Sequence, residues 1–283
     1  MISPSEIEKY PDLKRVLLLE KDVCAYLLPH QVLRPYISNY TISFPKNWLP
    51  ETGDPEDYTV LPHGSATLVA QVREDGMHFV LMGPATEPNR VGSNMRLMEF
   101  LVIIEFQPAG LFALTGISQT ELTDQTLPLD ALDPMFQKKF ALIVLQSASV
   151  KEMVTELDQL LYQMFKYTIP AQTRSALHEI IHFSGVKPIS QLSQELHYSE
   201  RQLGRLFNQH IGTSPKKFSR IVRVNYALRL LSRSQRTIET IAGLAGYHDP
   251  SHFVKDFKAV CGITPLEFRL QMTNYYNETN KFS

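Results

Sequence analysis

SERQLGRLFNQHIG, from Ser199 to Gly212, reads as one short helix with two unlike faces. Leu203, Leu206 and Phe207 recur at helical spacing and make an inward stripe. Arg201, Arg205 and Asn208 fall on the other side, at i, i+4 and i+7. Ser199 stands where an N-cap belongs, Gln202 where its reciprocal partner belongs, and Gly212 where a helix ends. A capped helix that buries one face and offers two arginines on the other suits insertion into a DNA major groove.

The design returns fifty positions later. GTSPKKF (Gly212–Phe218) and GITPLEF (Gly262–Phe268) share glycine, hydroxyl residue, proline and phenylalanine at the same offsets. Phe207 and Phe257, and the helix-start residues Ser199 and Asp249, keep the same separation. Chance likeness between two amphipathic helices does not hold one register over so many positions. An internal repeat takes precedence in assigning a fold, and this one implies two copies of a helix-turn-helix unit.

Length and composition frame that unit. At 283 residues the chain suggests about two domains. With 43% hydrophobic residues it can bury cores, which excludes wholesale disorder. The opening MISPSEIEKYPDLKR lacks the pattern of a signal peptide, and no apolar run approaches the roughly 18 residues of a membrane span. The expectation is a cytoplasmic protein with no membrane contact. Cys24 and Cys261 make no metal-type spacing and read as reduced structural thiols. Charge is divided unevenly: Ala171–Ser283 holds 15 Lys+Arg against 8 Asp+Glu, while the preceding residues hold 13 against 21. A basic C-terminal part is the footprint of nucleic-acid binding, and an acidic N-terminal part belongs away from phosphate.

Up to about Leu132 the chain is β-rich, with strands expected at Tyr40–Phe44, Tyr58–Leu61, Ser65–Val72, Met77–Met82 and Arg96–Phe106. Close spacing of short strands suggests a small antiparallel barrel or sandwich. From 134 to 167 the period becomes helical in two stripes broken at Ser147-Ala148-Ser149, an antiparallel helix pair. The expected fold is thus an α+β N-terminal domain (1–170) with the helix pair at 134–167, followed by an all-α domain (171–283) carrying two helix-turn-helix motifs. In the latter, a helix capped by Ser190 opens the first motif and a long helix from Pro215 joins the two. Thr237–Ala245 opens the second, Asp249 caps its recognition helix, and Thr264–Glu267 forms a capping box.

Ile241-Ala242, Gly246-Tyr247, Phe253, Phe257-Lys258, Gly262 and Thr264-Pro265 together resemble the AraC/XylS-type DNA-binding domain over roughly Ile189–Arg269. The resemblance implies a transcription regulator, not an enzyme, that binds double-stranded DNA with two units in adjacent major-groove segments. It would meet RNA polymerase if it activates. Three N-terminal pieces, LRPYISNYTISF, LPHGSATLVAQV and IIEFQPAGLFALTGISQTEL, are similar to an uncharacterised sensor domain that accompanies such regulators. That domain often has Pro-Asp-Gly where this chain has Pro62-His63-Gly64.

Carried onto this chain, the base-reading positions of the first motif fall on Arg201, Gly204 and Arg205, with Gln202 beside them. Those of the second fall on Ser251, His252 and Lys255. Lys216, Lys217 and Lys258 are candidates for phosphate, as are Ser199, Ser214 and Thr264 at helix starts. The alternative for each outward Arg or Lys is a phosphate contact or a solvated face, and each cap can as readily be purely structural. For a small-molecule effector, Trp48, Tyr58, His63, Phe79 and Phe106 are candidate lining residues of the N-terminal domain. The alternatives are that this domain binds a protein partner or only forms a homodimer. Metal or enzyme chemistry is disfavoured: His30, His63 and His78 are scattered, and no nucleophile elbow, phosphate loop or dinucleotide motif occurs. No cofactor is implied.

Overall fold

The computed structural model describes residues 1–47, 59–91 and 97–270, with the backbone of Tyr275 and Tyr276. Its N-terminal strands are β1 (Val16–Glu20), β2 (Cys24–Leu27), β3 (Ile37–Ser43), β4 (Thr59–Val60), β5 (Thr67–Arg73), β6 (Gly76–Met82), β7 (Asn89–Arg90), β8 (Phe100–Phe106) and β9 (Thr126–Pro128). All but β4 and β7 form one antiparallel sheet in the order β1-β2-β3-β8-β5-β6-β9. β1 and β9 remain separate edges, so the barrel alternative gives way to an open sheet. The β1–β2 hairpin is an addition to the strands expected from the sequence.

Alternation along β8 assigns the faces. Phe100, Val102, Ile104 and Phe106 enter the main core, and Leu101, Ile103 and Glu105 turn to the other side. The first face is covered by α2 (Pro134–Gln146) and α3 (Val150–Met164), the expected helix pair. α1 (Gly110–Thr115), directly after β8, adds Leu111 and Leu114 to the same core. Asp133 and Ser149 cap the pair by accepting from Phe136 N and Glu152 N. Their Phe136, Phe140 and Leu157 fill the core, with Phe79 edge-on to Phe140 at 5.5 Å. Asp158 on α3 ties the hairpin down, pairing with Arg15 at 2.8 Å and accepting from the Tyr40 hydroxyl at 2.9 Å. Burial, with Asp158 alongside, raises the Tyr40 phenol well above its ordinary value.

Then follow α4 (Ala171–His182), α5 (Ile189–Glu195), α6 (Glu200–Ile211), α7 (Pro215–Arg233), α8 (Ile238–Leu244), α9 (Pro250–Cys261), α10 (Pro265–Leu270) and β10 (Tyr275–Tyr276). α5 is capped at Pro188 rather than Ser190, because the proline holds the chain extended (φ −60°, ψ 138°) up to Ile189. β10 returns to the N-terminal part and pairs in parallel with β4, which pairs antiparallel with β7.

The N-terminal and C-terminal parts share apolar cores. Leu61 joins the cluster of α7, α8 and α9, and Ala109 and Ala113 join that of α4, α6 and α7. Polar ties run alongside: the Asn225 amide on α7 donates to Pro62 O at 3.0 Å, and the Thr123 hydroxyl donates to Gly212 O at 2.8 Å. Both cysteines are buried and unbridged, and burial pushes the Cys24 thiol up to about 11, with Glu20 adding to it. Among the described residues no helix is long and apolar enough to cross a membrane. Nor does any described group of three or more His, Cys, Asp or Glu come together as a metal site.

Candidate nucleic-acid interface

The two capped helices foreseen at 199–212 and 249–262 are α6 and α9. At the start of α6 the Gln202 side chain accepts from Ser199 N at 2.9 Å, and the Ser199 hydroxyl accepts from Gln202 N at 3.2 Å. This reciprocal box sets where the helix begins. Gly212 closes it in the left-handed region at φ 88°. Leu203 and Phe207 are fully buried while Leu206 is half-buried, so the inward stripe is narrower than its sequence suggests. Arg201, Gln202 and Arg205 are exposed together on the first two turns. The Gln202 Oε1 is engaged by the cap, and Arg201 and Arg205 stand exposed beside it.

α9 repeats the plan. The Asp249 carboxylate accepts from Ser251 N at 2.8 Å, Pro250 takes the first turn, and Gly262 closes the helix at φ 77°. Phe253 and Phe257 are fully buried; Ser251, His252 and Lys255 are exposed. His252 is not wholly at liberty, because its Nε2 lies 3.6 Å from the buried Asp256 carboxylate. That carboxylate also takes Arg220 of α7 at 3.0 Å and the Tyr247 hydroxyl at 3.3 Å, and so fastens α9 to the connecting helix.

All the phosphate candidates but Lys258 lie at helix starts; Lys258 stands in the last turn of α9. Ser214 caps α7 through Lys217 N, and Thr264 and Glu267 form the expected box on α10. Lys216 and Lys258 are exposed; Lys217 is turned back, donating to the Thr86 hydroxyl at 2.9 Å. Thr86 in turn bonds the Asp124 carboxylate through its backbone N at 2.6 Å and through its hydroxyl. The far end of α6 is also held: Thr120 donates to Asn208 O at 2.6 Å, and His210 packs on the Phe112 ring at 4.4 Å. Burial lowers the His210 pKa below its ordinary value.

Gly204 sits mid-helix, where a methyl group would meet nothing within 4 Å. Gly204→Ala should therefore raise unfolding free energy by about 1 kcal/mol through helix propensity alone. Urea unfolding measures this, and a destabilised variant would contradict the open space seen there.

Comparison with known proteins meets this geometry. A model described as a helix-turn-helix domain matches residues 192–271, and one described as a domain of unknown function (DUF6597) matches residues 26–128. The C-terminal part is an AraC-type helix-turn-helix domain. The chain is 36% identical over 88 residues to an uncharacterized HTH-type transcriptional regulator, YisR of Bacillus subtilis, over 31% of each chain. It is 36% identical over 81 residues to the raffinose operon transcriptional regulatory protein RafR of Pediococcus pentosaceus, over 29% of each chain. The chain thus spans under a third of the length of both relatives. A solved AraC-type transcriptional regulator from Chromobacterium violaceum is 29% identical, covering 36% of this chain and 96% of that one at a TM-score of 0.32.

Away from the AraC-type domain, a cavity of about 450 Å³ lies between the outer face of the large sheet and the β4–β7 side. His63 lines it, as expected. Phe79 and Phe106 do not: strand alternation turns both into the core beneath α2 and α3. Trp48 and Tyr58 lie outside the described residues. Sequence reasoning missed Glu105 and Thr67, both buried in the cavity wall and joined by a 2.9 Å hydrogen bond. The signal was a glutamate inside the otherwise apolar run FLVIIEF.

Proposed function

We propose that this chain is a sequence-specific DNA-binding transcription regulator of AraC type. The observation that carries the reading is the pair of capped helices, α6 and α9, each with a buried, largely apolar stripe and an exposed polar face, joined by the single helix α7. Arg201 and Arg205 read bases in one segment, and Ser251, His252 and Lys255 in the next. Lys216, Lys217 and Lys258 hold phosphate, together with the helix starts at Ser199, Ser214 and Thr264. If the arginines read guanine, Arg201→Ala or Arg205→Ala costs roughly 1–3 kcal/mol on the selected site and relaxes one base position. Lys216→Ala should instead weaken all sequences alike and reduce the salt slope by roughly 1. Site selection from random DNA with the full chain, then affinities across a salt series, tests both. Failure to enrich any sequence would overturn the reading, and equal losses on selected and scrambled DNA would reassign the arginines to phosphate.

The regulator answers to a small molecule held in the cavity of the N-terminal part, with the division between the two parts near residue 170. Support comes from the segment between β4 and β5. Val60, His63 and Ser65 line the cavity, while Leu61 and Pro62 O contact the helices of the DNA-binding part. A ligand acts through such a segment only by binding two arrangements unequally. Val69→Trp, which fills the cavity, should change DNA affinity of the full chain; unchanged affinity would count against the coupling.

A further inference from the structure

Strand register lays out the floor of the cavity, and that floor narrows what it can hold, given the reading of this cavity as a ligand site. Its volume of about 450 Å³ suits a compact organic molecule. Cross-strand rows on the outer face of the sheet run beneath it. Glu105 stands opposite Thr67, Ile103 between Thr41 and Val69, and Leu101 between Ser43 and Gln71. The Glu105 end is matched within the wall. Its carboxylate accepts from the Thr67 hydroxyl at 2.9 Å and faces His63 Nε2 at 3.7 Å, and the Ser65 hydroxyl meets the other ring nitrogen at 2.9 Å. The β3 side differs. Thr41 is 2% exposed and Ser43 5%, and both line the cavity. The Asn39 amide donates to the Thr41 hydroxyl oxygen at 3.3 Å, but among the described residues nothing receives the Thr41 proton and nothing bonds the Ser43 hydroxyl.

Hydroxyls buried beside apolar side chains cost desolvation until a partner reaches them. Each offers one donor and two lone pairs, so a carbonyl or hydroxyl oxygen satisfies them. A full charge fares worse, because stripping it of water costs far more than hydrogen bonds to hydroxyls offset. An ammonium finds Glu105 already answered by His63. Glu20, the other described carboxylate of the lining, is exposed, and an ion pair in water adds little. A carboxylate or phosphate meets like charge at both glutamates. The low polarity is felt by Cys24 in the same lining, whose thiol burial pushes up to about 11. We infer that the cavity takes a neutral, largely apolar molecule, with a carbonyl or hydroxyl oxygen at Thr41 and Ser43 and its apolar body over Val69, Leu101 and Ile103.

The test is calorimetric titration of the full chain with four molecules of one skeleton: phenylbutanone, butylbenzene, phenylbutylamine and phenylbutyrate. The ketone should bind tightest, about fivefold tighter than butylbenzene, as one added hydrogen bond gives, and the two charged molecules weakest. Ser43→Ala and Thr41→Val should each weaken the ketone and leave butylbenzene affinity the same, which shows the cavity intact. Either variant serves if the other does not fold. Tighter binding of the amine or the butyrate than of the ketone, abolished by Val69→Trp, would overturn the neutral-ligand inference and leave the ligand-site reading standing. A ketone no tighter than butylbenzene, or a ketone advantage that persists in both variants, would also overturn the inference. Binding of none of the four would overturn both.

Discussion

Phe257→Ala should cost about 3–5 kcal/mol of stability, the range for removing a large aromatic from a packed core. Phe257 is fully buried, with Phe253 at 5.7 Å and Phe268 at 6.0 Å between ring centroids. Those partners come from α9 itself and from α10, so the cavity left behind is walled by rings that cannot all collapse into it. Denaturant unfolding of the full chain measures the loss. The second recognition helix should suffer first, because its inward face holds only a few large side chains. DNA binding would then weaken on every sequence alike, unlike a base-reading substitution. A loss below about 1 kcal/mol would mean that the cluster repacks and that Phe257 is no keystone of the second motif.

Gly212→Ala should be more damaging than Gly262→Ala, although the two glycines are equivalent by repeat. Both have positive φ, 88° and 77°, so each alanine carries backbone strain of about 1–3 kcal/mol. Their surroundings differ. A methyl group at Gly212 would lie 2.2 Å from the Thr123 hydroxyl oxygen and 2.9 Å from Gln119 O, whereas at Gly262 the nearest atom among the described residues is the ring carbon Pro88 Cγ at 3.4 Å. The first alanine must therefore also push the N-terminal part away from α6, at a further cost of about 1–3 kcal/mol. Thermal unfolding of both variants checks the order. Equal losses would show that the 119–123 segment yields freely, and that the contact between α6 and the N-terminal part is slack.

The helical third of the molecule was legible because its signals are local. Caps at Ser199, Asp249 and Thr264, the closing glycines and the paired phenylalanines each declare themselves within a few residues, and the repeat confirms their register. The N-terminal part was less so. β1 is an edge strand with an exposed, unalternating run, VLLLE, which carries no period-two signal. β10 finds β4 from more than two hundred residues away, a pairing that no local pattern encodes. The cavity candidates stand out in the sequence by aromatic character, which gives size but not direction. Counting strand parity outward from Glu105 would have turned Phe106 to the opposite face.

Lys217 has a consequence for how DNA binding responds to ions. Its ammonium already donates to Thr86, which is bonded to Asp124, so under the proposed phosphate role it would have two claimants. Taking the phosphate means giving up the internal bond, so the DNA contact is an exchange rather than a gain. Linkage makes this reciprocal: whatever loosens the N-terminal part at Thr86 tightens DNA, and DNA in turn loosens that contact by the same factor. The exchange also has an ionic signature. An arginine or lysine already bathed in solvent adds its full share of displaced counterions, roughly 0.9 per phosphate. Thr86→Val, which frees Lys217 beforehand, should bind DNA more tightly than the parent protein at low salt, with the advantage shrinking as salt rises.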